Sequence, residues 1–463
     1  MTDQKTYMFE EMPVPQAVAK QAVPTVVSSV VMILYNLADT YFVGMMNDPV
    51  QSAAVTLAAP LILLFNAVSN LFGIGASSYM SRSLGKRDYE AVSRTSAFGI
   101  YGALISALCF AVLCSVFRSP LLSLLGADAS SRDATLRYMR WTVFYGAVPS
   151  ILSIVLSSMI RSEGASGQAS IGMIGGCVLN ILLDPFFILP FGLDMGAAGA
   201  GLATMLSNTC ACLYLLGVIL RRLRRSDTYI SLDVRRVGLD REIIREVLTV
   251  GVPISVQNIL NVTGATLLNN ITSGYGTDAV AAIGIAHKVN IVPIYVSMGL
   301  GQGIMSLVGY NYAAGRTERL KKILLFTSAL TAGFIVLAAG AMYLGAYGIM
   351  EAFMKNDAVI AYGGRFLHAY SIALPFLAFD FLFVSVFQAV GMGKESLIFA
   401  ILRKLVLEIP ALIVLDRLFP LYGLPYSQLV AELVLSAAGG LVLLRLFRRL
   451  ENKEQTKEII KDV

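Results

Sequence analysis

Two acids stand inside stretches otherwise apolar enough to cross a bilayer. One is Asp184, in Val178-Leu179-Asn180-Ile181-Leu182-Leu183-Asp184-Pro185-Phe186-Phe187, and the other is Asp39, in Tyr35-Asn36-Leu37-Ala38-Asp39-Thr40-Tyr41. An Asp at the centre of a membrane helix costs roughly 2.5 to 3.5 kcal/mol on insertion scales, so such residues point to a function facing a cavity. Asn180 lies four residues before Asp184, on the same helical face, and Tyr35 stands in the same relation to Asp39. Pro185 lacks an N–H and so frees a backbone carbonyl one turn earlier, which can also line a wet pocket. The chemistry these residues suit is reversible capture of a proton or a small cation. Sodium is a candidate ligand of Asp39, Asn180 and Asp184, for which hard oxygen donors are appropriate.

The elements that must carry these residues are membrane helices. Over 463 residues the chain is 56% hydrophobic and 14% charged, far from the quarter-charged average of soluble domains. Runs of about twenty apolar residues, the length needed to span a bilayer, occur near 22 to 46, 53 to 80, 94 to 117, 136 to 160, 168 to 190, 196 to 220, 246 to 273, 279 to 309, 319 to 346, 362 to 390, 396 to 415 and 425 to 447. Their length and continuity exclude barrel strands, which are short and alternating. The first run follows Glu10, Glu11, Pro13 and Pro15 and lacks the basic n-region of a cleaved leader, so it is expected to be retained as span one.

Placing the amino terminus inside puts about 26 of the 36 Lys and Arg residues on the inner side, an asymmetry that assigns both termini to the cytoplasm of a multi-pass cell-membrane protein. The net charge of +6 is accounted for by this topology without a nucleic-acid partner. All five cysteines fall inside apolar spans, where they serve as small apolar fillers rather than a disulfide or metal framework. Gly196-Ala197-Ala198-Gly199-Ala200-Gly201 opens span six without a preceding strand and is no nucleotide loop; with no P-loop elsewhere, neither ATP nor any cofactor is expected. Small residues there, at Gly172 and Gly176, and at Gly299, Gly301 and Gly303 instead let helix backbones approach closely.

The chain also repeats. A shift of about 229 residues brings Val23-Pro24 onto Val252-Pro253 and Gly85-Lys86 close to Gly315-Arg316; later, in spans five and eleven, where the offset is 224, Asp184 falls opposite Glu408. Six spans per half make this a parallel repeat about the membrane normal, an arrangement that supports alternating access. The fold expected is therefore an all-α polytopic membrane protein with 12 transmembrane helices in two pseudo-symmetric six-helix bundles: an amino-terminal lobe at 1–220, a basic cytoplasmic linker at 221–245, a carboxy-terminal lobe at 246–450 and a tail at 451–463.

At this point the chain resembles the multidrug and toxic compound extrusion (MATE) transporters along nearly its whole length. The resemblance is carried by Asn36-Leu37-Ala38-Asp39-Thr40-Tyr41-Phe42-Val43-Gly44, by Arg161-Ser162-Glu163-Gly164, by Leu179 to Pro185, and by Gly196 to Thr204. It implies two six-helix lobes exporting organic cations in exchange for protons or sodium. In the family the span-one acid, the span-five Asn and Asp and the span-six Thr form the coupling site, and they match Asp39, Asn180, Asp184 and Thr204 here. Another branch carries a Glu in span seven and an Asp in span ten; the Asp matches Asp380, while the Glu position is Asn261, which removes one carboxylate from that set.

In the carboxy half the acids have basic company. Glu408 lies one turn beyond Lys404, a spacing that permits a pair along one helix. Asp380 has two readings, a substrate contact or a partner of Lys288. His287 suits a proton relay or a satisfied polar contact. Asp380, Asn261, His287, Lys288 and Glu408 are thus candidates for a substrate or carboxy-lobe site, beside the ion-coupling set of Asp39, Asn180, Asp184, Thr204 and Tyr35. The function expected is a monomeric multidrug antiporter whose partners are small organic cations and the lipid bilayer, with the proton preferred over sodium. The rivals are a lipid-linked precursor flippase, which would want a basic cavity, and an intramembrane enzyme, for which His-Glu-x-x-His and Asp-rich Mg2+ motifs are missing.

Overall fold

The computed structural model describes residues 3–46 and 48–461, and among them every regular element is a helix. Among the described residues ten helices are long and apolar enough to cross a membrane: Val14–Met45, Pro49–Gly85, Tyr89–Val116, Ser166–Ile188, Ala197–Arg224, Arg241–Ser273, Thr277–Ala313, Thr317–Phe353, Asp357–Val390 and Tyr426–Asn452. These are spans one to three, five to ten and twelve of the expected set. Span four is a pair, Arg132–Tyr145 and Ala147–Ser162, bent by 45°. Span eleven runs as Gly393–Ile401, then Leu402–Glu408, then Ile409–Leu418.

Both interrupted spans contain a π-helical segment, Arg140–Tyr145 and Leu402–Glu408. In each case a proline follows within four residues, Pro149 or Pro410. Proline has no N–H to offer the carbonyl one turn before it, and the wider π turn absorbs the mismatch. Pro149 therefore explains a bend that hydrophobicity alone does not reveal.

Helix starts are set by short polar side chains. Asp48 accepts from Val50 N–H at 2.8 Å ahead of Pro49, Asp88 accepts from Ala91 N–H at 3.0 Å, and Asn356 accepts from Ala358 and Val359 N–H. These satisfy first-turn donors that have no intrahelical partner.

Two compact units are formed, one from Met1–Glu11 with Val27–Ile259 and the other from Met12–Val26 with Leu260–Val463. Both are discontinuous, whereas the lobes drawn from the sequence were continuous. The dividing points lie inside spans one and seven, because packing rather than chain order assigns their first turns. A Cβ on Gly303 would meet the Ala22 backbone, which seats the start of span one within the second unit. A Cβ on Gly251 would meet the Leu71 backbone, which seats the start of span seven within the first. Gly172 and Gly176 likewise take span six against span five, facing Leu215 and Ala211.

The basic linker is an ordered strap. Buried Glu163 accepts from Arg222 at 2.7 Å, from the Thr228 hydroxyl at 2.8 Å and from Tyr229 N–H at 2.7 Å. Further along, Ser96 Oγ accepts from Ser231 N–H at 2.9 Å, Tyr101 donates to the Leu232 carbonyl at 2.6 Å, and Arg94 pairs with Asp240 at 2.7 Å. Glu163, part of the Arg161 to Gly164 motif, is thus the carboxylate that fastens the strap.

Candidate functional site

In the first unit, spans one, four, five and six bring Tyr35, Asp39, Tyr138, Asn180, Asp184 and Thr204 together. Asp184 is fully buried and Asn180 is 2% exposed, while Asp39, Tyr35 and Thr204 are half-buried. Asp184 and Asp39 lie within electrostatic range of each other. The Tyr35 phenol reaches the Thr204 side chain and is also within range of both acids.

Asn180 is oriented by its neighbours. With both ends of its amide satisfied, the nitrogen donates to Asp184 Oδ2 at 2.8 Å and the oxygen accepts from Thr204 N–H at 3.1 Å. That orientation is assigned from the hydrogen bonds around it. Asp184 Oδ1 is then a buried carboxylate oxygen with no partner among the described residues. Such an oxygen is costly unless a proton or a cation joins it.

Two features of the sequence build this cluster. The four-residue spacings of Tyr35 with Asp39 and of Asn180 with Asp184 aim each pair to one side of its helix. Gly201 then lets span six approach span four, since a Cβ there would stand 3.0 Å from the Tyr138 carbonyl oxygen and 3.2 Å from Thr142. The ion-coupling set expected from the sequence is thereby assembled in one place. Tyr138 was not foreseen: it is 4% exposed and within range of Asp39, Tyr35 and Asp184. Among the described residues neither Asp39 nor Asp184 has a basic side chain as an electrostatic partner.

The second unit has a polar cluster of another kind. Buried Arg403 pairs with Asp380 through one guanidinium nitrogen and with Glu432 at 3.2 Å through Nε, while lying 4.6 Å over the Phe381 ring. Asp380 is therefore the partner of Arg403 and not of Lys288, which lies on the exposed side of span eight. The π segment of span eleven turns Arg403 inward, and helical spacing from the sequence did not reveal that. Lys404 and Glu408 pair at 2.6 Å, the interaction expected from their spacing. His287 is exposed and within electrostatic range of both. Asn261 is half-buried in span seven. Glu432 had not been singled out, because it stands at the start of span twelve, where an acid is unexceptional.

Among the described residues no group of three or more His, Cys, Asp or Glu side chains has metal-binding geometry, and all five cysteines are free.

Known proteins bear on this arrangement. The MatE family model matches the chain twice, over residues 24–186 and 253–414. The two matches begin 229 residues apart, the same offset at which the sequence repeats. Multidrug export protein MepA of Staphylococcus aureus (strain NCTC 8325 / PS 47) is 30% identical over 450 residues, covering 97% of this chain and 98% of that protein. MepA of Staphylococcus saprophyticus is 32% identical over 451 residues, with the same coverage. Among solved structures, an outward-facing multidrug resistance MATE family transporter of the MOP superfamily superposes with a TM-score of 0.90 at 24% identity, over 98% of this chain and all of that one. The Vibrio cholerae transporter VcmN in its bent form superposes with a TM-score of 0.85 at 21% identity, over 94% of this chain and 98% of its own.

Proposed function

The chain belongs to the MatE family of multidrug and toxic compound extrusion transporters, and from that premise we propose that it exports small organic cations by proton antiport with alternating access. The observation that carries this reading is the pair of acids Asp39 and Asp184, within electrostatic range of each other and without a basic partner among the described residues. Asp184 Oδ1 is the atom that receives the proton, because it is buried and lacks a partner. Half-buried Asp39 is the acid through which the proton arrives and leaves.

The Asn180 amide supports the proton over sodium. Its nitrogen faces Asp184 and its oxygen already accepts from Thr204 N–H, so it presents the carboxylate with a donor rather than with a cation-binding oxygen. Coupling requires that proton and drug bind the two conformations with different affinities, since a ligand with equal affinity for both shifts nothing. Protonation abolishes the negative charge that attracts a cationic drug, which supplies that difference. The first unit is the coupling unit in this reading, the monomer is the working form, and both termini lie in the cytoplasm.

The test is efflux of a fluorescent organic cation from proteoliposomes under a proton gradient or a sodium gradient imposed separately, for wild type and Asp39→Asn. Transport driven by the proton gradient and lost in the variant is the expected result. Transport driven by sodium alone would reverse the assignment of the ion, and unchanged transport by Asp39→Asn would remove that residue from the mechanism.

A further inference from the structure

Span three of the first unit is fastened to the strap near Ser93, Ser96 and Tyr101. Its other end has a different character. Ile105, Leu108, Val112, Leu113 and Val116 are 47 to 67% exposed, an apolar face that in a membrane-spanning helix meets acyl chains. This face runs into a cavity of about 400 Å3 whose walls include Leu108, Val112 and Phe144 and whose polar groups include Arg118, Arg140 and Tyr145.

The two arginines are the unexpected part. Neither has an ion-pair partner among the described residues, although nearby Arg137 pairs with Asp133 at 2.9 Å and Arg132 donates to Ser119 Oγ at 2.6 Å. Arg140, Phe144 and Tyr145 all come from the π segment Arg140–Tyr145, and π turns recur where a chain aims side chains at a ligand. The cavity thus combines two guanidinium forks without an ion-pair partner among the described residues with an apolar wall that includes Leu108 and Val112, four residues apart on one helical face.

We propose that this cavity binds an anionic phospholipid. The phosphodiester is held by Arg118 and Arg140, since guanidinium pairs with phosphate oxygens in bidentate fashion, and the acyl chain lies along Leu108 and Val112. The charge of the site is complementary to an anion, and its apolar wall is continuous with the lipid-facing surface of span three. A soluble anion satisfies only the first feature, and a zwitterionic lipid sets a quaternary ammonium beside its phosphodiester, which the two guanidinium groups repel. Occupancy bears on transport as well, because the π segment begins two residues after Tyr138 of the carboxylate cluster.

The chain carries its own reporter. Trp141 is the only tryptophan, and its ring stands 5.7 Å from that of Tyr145. The experiment titrates the purified full chain in detergent with short-chain phosphatidylglycerol, with phosphatidylcholine of the same chains and with inorganic phosphate, reading Trp141 emission. Expected is a saturable change with phosphatidylglycerol. It should be weaker by about tenfold or more for phosphatidylcholine and for the Arg118→Gln/Arg140→Gln double variant, and inorganic phosphate should give none. Equal affinity for the two lipids, equal affinity of wild type and double variant, or saturation by phosphate alone would each overturn the proposal. Should the glutamine variant fail to fold, Arg118→Lys/Arg140→Lys keeps the charge and loses the fork; it should bind phosphatidylglycerol a few-fold more weakly and still prefer it. Loss of that preference in the lysine variant would overturn the proposal equally.

Discussion

In the first unit Asp39 and Asp184 lie within electrostatic range of each other and have no ion-pair partner among the described residues, whereas in the second unit Asp380 and Glu432 share Arg403 and Glu408 is held by Lys404. The family model matches each half once, so the contrast is between two copies of one plan. Where no internal cation is supplied, a buried carboxylate has to be completed from outside the chain. Where Arg or Lys is supplied, the carboxylate is completed permanently and becomes a fixed part of the bundle. The difference separates a site that can exchange an ion from one that is already closed.

The largest effect expected from this contrast is on stability. Arg403→Met leaves Asp380 and Glu432 buried without their cation, and breaking one side of a buried ion pair costs about 3 to 5 kcal/mol. Asp184→Asn removes a charge that had no cation and should cost about 1 kcal/mol at most, or stabilise the bundle. Chemical unfolding of the two variants in the same detergent compares them directly. Equal losses would mean that the carboxylates of the two units are compensated alike, and the distinction would be lost.

Transport should give the opposite ranking. Asp39→Asn and Asp184→Asn each remove a group that carries the exchanged proton, and an amide does not take up a proton in its place, so proton-driven efflux should be lost in both. A triple replacement of Asp380, Arg403 and Glu432 by apolar residues of similar volume should leave the ion dependence of efflux unchanged, since buried ion networks are often replaceable by hydrophobic packing. Efflux rates measured against the driving gradient decide this. A shifted ion dependence in the triple variant would mean that the second unit takes part in coupling.

How much of this was legible follows from the physics of each residue. Asp39 and Asp184 stand out because a charge inside an apolar run is costly wherever the helix turns, and their four-residue partners follow from helical geometry alone. Lys404 with Glu408 was legible for the same reason. Tyr138 was not, because a tyrosine near a helix end is common and its place in the cluster depends on Gly201 admitting span four against span six. The pairing of Asp380 was missed because the π segment rotates Arg403 away from where a regular helix would put it. The discontinuous units were missed because close packing at Gly251 and Gly303 overrides chain order, and no hydropathy profile records packing.

The Lys404 and Glu408 pair tests how far the second unit is closed. Both side chains are 15% exposed, so the pair is screened more than the Arg403 network. A double-mutant cycle with Lys404→Met and Glu408→Gln should give a coupling energy of about 0.5 to 1 kcal/mol. A value of about 3 kcal/mol or more, the size expected for the buried Arg403 network, would show that partial exposure does not weaken the lock.

The smallest effect belongs to Tyr35, and it refines the open site from within. Its hydroxyl reaches Thr204 beside the two acids, so Tyr35→Phe removes one neutral hydrogen bond while keeping the ring that fills the space. The expected cost is about 1 kcal/mol, appearing as a fewfold weaker ion affinity with the drug preference unchanged. Thr204→Val removes the other end of the same contact, so the two changes together should cost little more than either alone. Additive losses would instead mean that the two hydroxyls act separately on the acids, and the cluster would consist of two independent donors rather than one linked network.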